Sequence, residues 1–174
     1  SDARLGLAQT YERVGKFAAA IEQAKEAHKL TPDSAPPLHI IARCAIALGQ
    51  NDVAEQAFAD ALRVDPASIP IRNDLAFYRL RNEQYQEAYE LLATLQQEAP
   101  GSAEIRINTI SALTHLGRTE EARVQTGVLH ANFGPQISQA PLKDIASDVL
   151  RQLADKLGIS AEALKASAVQ QSAS

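Results

Sequence analysis

Apolar residues in this chain recur at steps of three and four, the period that gathers them on one face of an α-helix. Leu5, Ala8, Tyr11 and Val14 form one such stripe, and Leu142, Ile145, Val149, Leu150, Leu153 and Leu157 form another. Pro32, Pro66 and Pro100 stand 34 residues apart, each following an apolar helical stretch: Ala27 to Leu30, Ala61 to Val64 and Leu91 to Leu95. Proline cannot donate the hydrogen bond that a helix interior needs, so each one closes a helix and lets the next begin. Gly15, Gly49 and Gly117 mark a second break inside the period, where a positive φ ends a helix. The third period departs there, with Glu83.

The spacing divides the chain into four blocks: 1–34, 35–68, 69–102 and 103–134. The seventh column holds Leu7, Ile41, Leu75 and Thr109, and the eighth holds Ala8, Ala42, Ala76 and Ile110. The twentieth is Ala20, Ala54, Ala88 and Ala122. Each block reads as a helix, a short turn and a second helix, and such units bury their apolar faces by stacking on their neighbours. After Pro135 the period breaks. Residues 135–140 read as a linker, 141–171 as two capping helices and 172–174 as a disordered tail. The first capping helix carries the stripe from Leu142 to Leu157 and is closed by Gly158. The second starts at Ser160 and contains Ala163, Leu164 and Val169. A cap is required because the last repeat otherwise leaves its stacking face open to water.

These columns resemble the tetratricopeptide repeat family. The first block matches its pattern with Leu7, Ala8, Tyr11, Gly15, Phe17, Ala20, Ala27 and Pro32. The second adds Phe58 and Ala61, and the third keeps Tyr85 and Ala88 with Arg79 where tyrosine is usual. The fourth keeps Leu113, Gly117 and Ala122, with Gly134 and Pro135 where the proline is due. The resemblance implies an all-α, right-handed solenoid of antiparallel helix hairpins with a C-terminal capping helix or hairpin. It also implies a concave groove lined by the first helix of each hairpin. Carried onto this chain, the groove positions are Gln9, Glu12 and Arg13, then His39, Ile40 and Arg43, then Asn73, Asp74, Phe77 and Arg81, and finally Ile107, Asn108, Ser111 and His115. The partner-binding candidates among them are His39, Arg43, Asn73, Asp74, Phe77, Arg81, Asn108, Ser111 and His115. The function so implied is a protein–protein interaction scaffold that binds a peptide or loop, and not an enzyme. The family's clamp for a C-terminal carboxylate is missing in both registers: its positions hold Leu5, Gln9, Ile40, Pro70 and Asp74, or His39, Arg43, Asp74, Glu104 and Asn108.

Composition narrows the partners. The net charge of -4 and pI near 5.6 argue against nucleic acid, whose binding rests on clustered Lys and Arg. No apolar run approaches the roughly 18 residues of a membrane span, so direct insertion by this segment is not expected. Cys44 has no second cysteine to pair with and reads as a small buried packing residue. His28, His39, His115 and His130 never stand at the i, i+4 spacing of a helical metal site, so neither a metal nor another cofactor is expected. The chain contains no methionine, which points to processing or to a longer parent. Its Ala-rich, Lys-poor composition points to a bacterial source, with periplasm and cytoplasm both open. Similar arrays serve pilus assembly, exopolysaccharide export and secretion. A structural spacer or self-association segment of a longer array, and a regulatory arm of a linked catalytic domain, stand as the other two readings.

Overall fold

The computed structural model describes residues 1–171, with side chains to 166. The tail expected at 172–174 and the side chain of Val169 lie outside the described residues. Among the described residues ten helices follow one another: α1 (Asp2–Arg13), α2 (Phe17–Leu30), α3 (Ala35–Ala47), α4 (Asn51–Val64), α5 (Ile69–Arg81), α6 (Tyr85–Glu98), α7 (Ala103–His115), α8 (Thr119–Ile137), α9 (Leu142–Leu157) and α10 (Ala161–Gln171). No strand occurs among the described residues. The fold is all-α, made of helix hairpins with a C-terminal capping hairpin. The chain falls into two compact units, residues 1–75 and residues from 76 onward, with α5 running from one into the other.

The turns inside the hairpins share one hydrogen bond. Lys16 N–H reaches Tyr11 C=O at 2.8 Å, Gln50 reaches Ala45 at 2.9 Å, Gln84 reaches Arg79 at 2.9 Å, Arg118 reaches Leu113 at 2.9 Å and Ile159 reaches Ala154 at 3.1 Å. Each bond closes a helix end over a residue of positive φ, which satisfies a carbonyl that the helix leaves open. That residue is glycine at 15, 49, 117 and 158, and Glu83 in the third hairpin, with φ 61°. Pro32, Pro66 and Pro100 fall in the short turns between hairpins, where Ser34, Ser68 and Ser102 donate backbone bonds to Thr31, Asp65 and Ala99.

In the first unit α1 pairs with α2 and α3 with α4, while α2 and α1 both pack on α3. Alanine dominates these contacts: Ala8, Ala20, Ala24, Ala27, Ala42, Ala45, Ala54 and Ala61 are completely buried. A methyl side chain lets helices approach closely, so the space left is filled by few large groups, Phe58 foremost. In the second unit α7 packs on α6 and α8, α9 lies on α7 and α8, and α10 on α8 and α9. Its core joins Ile107, Ile110 and Leu113 to Leu129 and Phe133 of α8, Leu150 and Leu153 of α9 and Leu164 of α10. The capping hairpin thus covers the apolar side of α8.

Three expectations from the sequence are corrected. α8 continues through Pro135 to Ile137, so residues 135–137 are helix and not linker. Phe133 and Ile137 are buried in the same core as α9 and α10, and that burial holds the last turn together despite the missing proline N–H. Ile40 and Ile107, carried over as groove residues, are core side chains at 2% and 1% exposure. Ile145, read as part of the α9 core stripe, is instead 42% exposed.

Candidate functional site

In the first unit the expected groove residues bind one another. His39 Nε2 lies 2.7 Å from Asp74 Oδ2, joining α3 to α5. Arg43 donates two bonds to the Glu12 carboxylate, each 2.7 Å, joining α3 to α1, and its other terminal nitrogen is 3.8 Å from Asp74. Hydrogen bonding to Glu12 drives the Arg43 pKa above its ordinary value, outweighing the cost of partial burial. His39 and Asn73 are themselves buried, at 8% and 7% exposure. A donor already engaged with a carboxylate must break that bond to take a ligand, so this cluster ties helices together more readily than it offers contacts. The signal was present in the sequence: complementary polar residues stand within one helical turn of the same block position in successive repeats, Glu12 with Arg43 and His39 with Asp74.

The second unit has an open cleft of about 470 Å³. Phe77, Leu80 and Arg81 line it from α5, Asn108, Ser111 and His115 from α7, and Asp144, Ile145, Asp148, Val149 and Gln152 from α9. Five of the sequence candidates, Phe77, Arg81, Asn108, Ser111 and His115, therefore come together here. Asn108 is 5% exposed and belongs to the floor of the cleft. The His115 ring is stacked on Tyr85, centroids 4.3 Å apart and planes 7° from parallel, which fixes its orientation. Phe77 of α5 is 44% exposed and Ile145 of α9 42%. Arg81 is exposed and makes no ion pair among the described residues, whereas Asp148 is bonded by Arg151 and by Gln152 at 3.0 Å. The α9 wall was missed from sequence because α9 was read only as a cover. Its one signal is that Ile145 stands between acidic neighbours, Asp144 and Asp148, on a helix whose other apolar residues face the core.

A half-exposed aromatic and a half-exposed aliphatic across a cleft, with a free guanidinium on one side and carboxylates on the other, suit an apolar side chain on a polar backbone. Little points to covalent chemistry. Burial pushes the Cys44 thiol up to about 11, so it is protonated and unreactive at neutral pH. Among the described residues no helix is long and apolar enough to cross a membrane.

A family model for the tetratricopeptide repeat matches residues 13–76 and 79–129, most of the chain. The chain belongs to the tetratricopeptide repeat family. Arrays of this family are typically non-catalytic, and its fold supports a protein–protein interaction scaffold. Solved structures share the fold at low identity. PilW, described as a widely conserved type IV pilus biogenesis factor, is 17% identical, with 91% of this chain and 78% of that one covered and a TM-score of 0.69. YrrB, described as a tetratricopeptide protein with an unusual peptide-binding site, is 17% identical, with coverage of 88% and 84% and a TM-score of 0.65. The pilF protein of Pseudomonas aeruginosa is 16% identical, with coverage of 98% and 89% and a TM-score of 0.67. A search of the curated proteins finds no match to the sequence.

Proposed function

We propose that this chain is a scaffold that holds an extended segment or loop of a partner protein in the cleft between α5, α7 and α9. The observation that carries this reading is the pair Phe77 and Ile145, each more than two-fifths exposed and both lining one cleft. Two large apolar side chains left exposed in one cleft cost free energy in water, whereas an apolar side chain of a partner inserted there removes both from solvent. Arg81 supplies hydrogen bonds to the partner's backbone or carboxylates. The scaffold acts in a bacterial assembly or export system, in the periplasm or the cytoplasm. Support for that setting comes from fold-sharing proteins: PilW is described as a pilus biogenesis factor and YrrB as having a peptide-binding site.

Site-specific photo-crosslinking in the source cell tests the reading. A benzophenone side chain replacing Ser111 should give a discrete adduct with a partner that disappears when Phe77→Ala is added, while the same probe at Glu22 should give none. Adducts of equal strength from both positions would refute the assignment of the cleft, and adducts only with a second copy of this chain would favour the spacer or self-association role.

A further inference from the structure

A separate cleft of about 400 Å³ opens where α8, α9 and α10 meet. Its polar lining is His130 of α8, Ser138 at the end of α8, Lys143 and Ser147 of α9 and Lys165 of α10, over an apolar floor that includes Leu150. Among the described residues no carboxylate lines it, although the chain as a whole carries a net charge of -4. Asp144 and Asp148 line the neighbouring cleft, which shares Ser147 and Lys165, and Asp148 is already bonded by Arg151 and Gln152. Among the described residues neither Lys143 nor Lys165 has an ion-pair partner, and Ser147 makes no hydrogen bond through its side chain. His130 Nε2 is buried and lacks a hydrogen-bond partner. Burial first, and then the charge of Lys165, lower the pKa of this histidine, so the lysine's positive field reaches the imidazole. Two ammonium groups thus border one space whose own described lining holds no carboxylate, the nearest lying in the adjoining cleft, and an anion between them would turn their mutual repulsion into attraction.

We propose that this cleft is an anion-binding site, distinct from the peptide cleft, that takes the phosphate or carboxylate group of a small ligand between Lys143 and Lys165, with Ser147 as a hydroxyl donor. Ammonium groups and a hydroxyl are all donors and match an oxyanion, which only accepts. Because Lys143 and Lys165 belong to different helices, the anion ties α9 to α10 and stabilises the capping hairpin by mass action.

An NMR titration of the full chain tests this with inorganic phosphate, acetate and sodium chloride at matched ionic strength. The expected result is a saturable shift at His130, Lys143, Ser147 and Lys165 with phosphate or acetate and none with chloride. Saturation by phosphate alone identifies a phosphoryl ligand, and equal saturation by acetate a carboxylate. Both lysines are exposed, so a Lys143→Ser, Lys165→Ser variant should fold and bind at least tenfold more weakly, whereas the corresponding double arginine variant should bind. Shifts that stay linear, that chloride reproduces, or that persist unchanged in the double serine variant overturn the proposal.

Discussion

Replacing Glu83 with glycine should stabilise the protein. Glu83 occupies the left-handed turn position of the third hairpin with φ 61°, while Gly15, Gly49, Gly117 and Gly158 fill the equivalent turns at φ 68° to 76°. An L-residue pays about 1–2 kcal/mol for that conformation, because its Cβ crowds the following carbonyl. Glycine brings back about 0.5–1 kcal/mol of extra freedom in the unfolded chain. The Glu83 side chain is exposed and makes no hydrogen bond or ion pair among the described residues, so its removal forfeits nothing else. The net gain is about 0.5–1 kcal/mol, or about 1–4 °C in Tm for a chain of this length. The reciprocal changes Gly49→Ala and Gly117→Ala isolate the same backbone cost: a Cβ at either position meets no atom within 4 Å, so the expected loss of about 1 kcal/mol comes from φ alone. Thermal and urea unfolding followed by far-UV circular dichroism would read all three. If Glu83→Gly leaves stability unchanged or lowers it while Gly117→Ala is harmful, the turns are not equivalent and the strain argument is wrong.

Ala54→Leu should cost about 1–3 kcal/mol, since Ala54 is completely buried and α4 packs closely on α3; an unchanged melting temperature would contradict the packing. Deleting 141–174 uncovers Leu129, Phe133 and Ile137, and the shortened chain should self-associate in analytical ultracentrifugation; a stable monomer would mean that α9 and α10 are not a cap. Cys44 is a raised acid, at about 11 in the folded chain against about 8.5 unfolded, so the protonated thiol's contribution is complete below about pH 8 and lost as pH rises towards 11. Urea melts at about pH 8 and about pH 10 should therefore show a larger loss of stability for the native chain than for Cys44→Ala, and equal losses would contradict it.

Most of the fold was legible because a repeat writes its geometry several times. One glycine predicts little, but glycine at 15, 49 and 117 in one column, with proline 17 residues later at 32 and 66, fixes the turn type and both helix ends. Glu83 showed the limit: backbone hydrogen bonding held the left-handed turn without the residue that favours it. Alanine recurs in the twentieth column of all four blocks, and all four of these residues are completely buried. The candidate site was less legible, because periodicity identifies which helix face a residue occupies but not what comes to lie opposite. His39 and Arg43 were placed on the groove face, yet their partners Asp74 and Glu12 lie 35 and 31 residues away and engage them. Ile145 shares the spacing of the α9 core stripe, yet it lines the cleft with Phe77 and stays exposed. Pro135 looked like a terminator, but burial of Phe133 and Ile137 carried the helix past it.

Affinity measurements decide whether Phe77 and Ile145 form a peptide-binding cleft. Peptides selected from a random display library against the full chain would be titrated by fluorescence anisotropy into the native protein and its Phe77→Ala, Ile145→Ala and Glu22→Ala forms. Each of the first two changes should weaken binding by about 1–3 kcal/mol, roughly 5- to 150-fold in Kd, without altering the melting temperature, and Glu22→Ala should have no effect. Peptides that bind specifically but with equal affinity to all four proteins would contradict it.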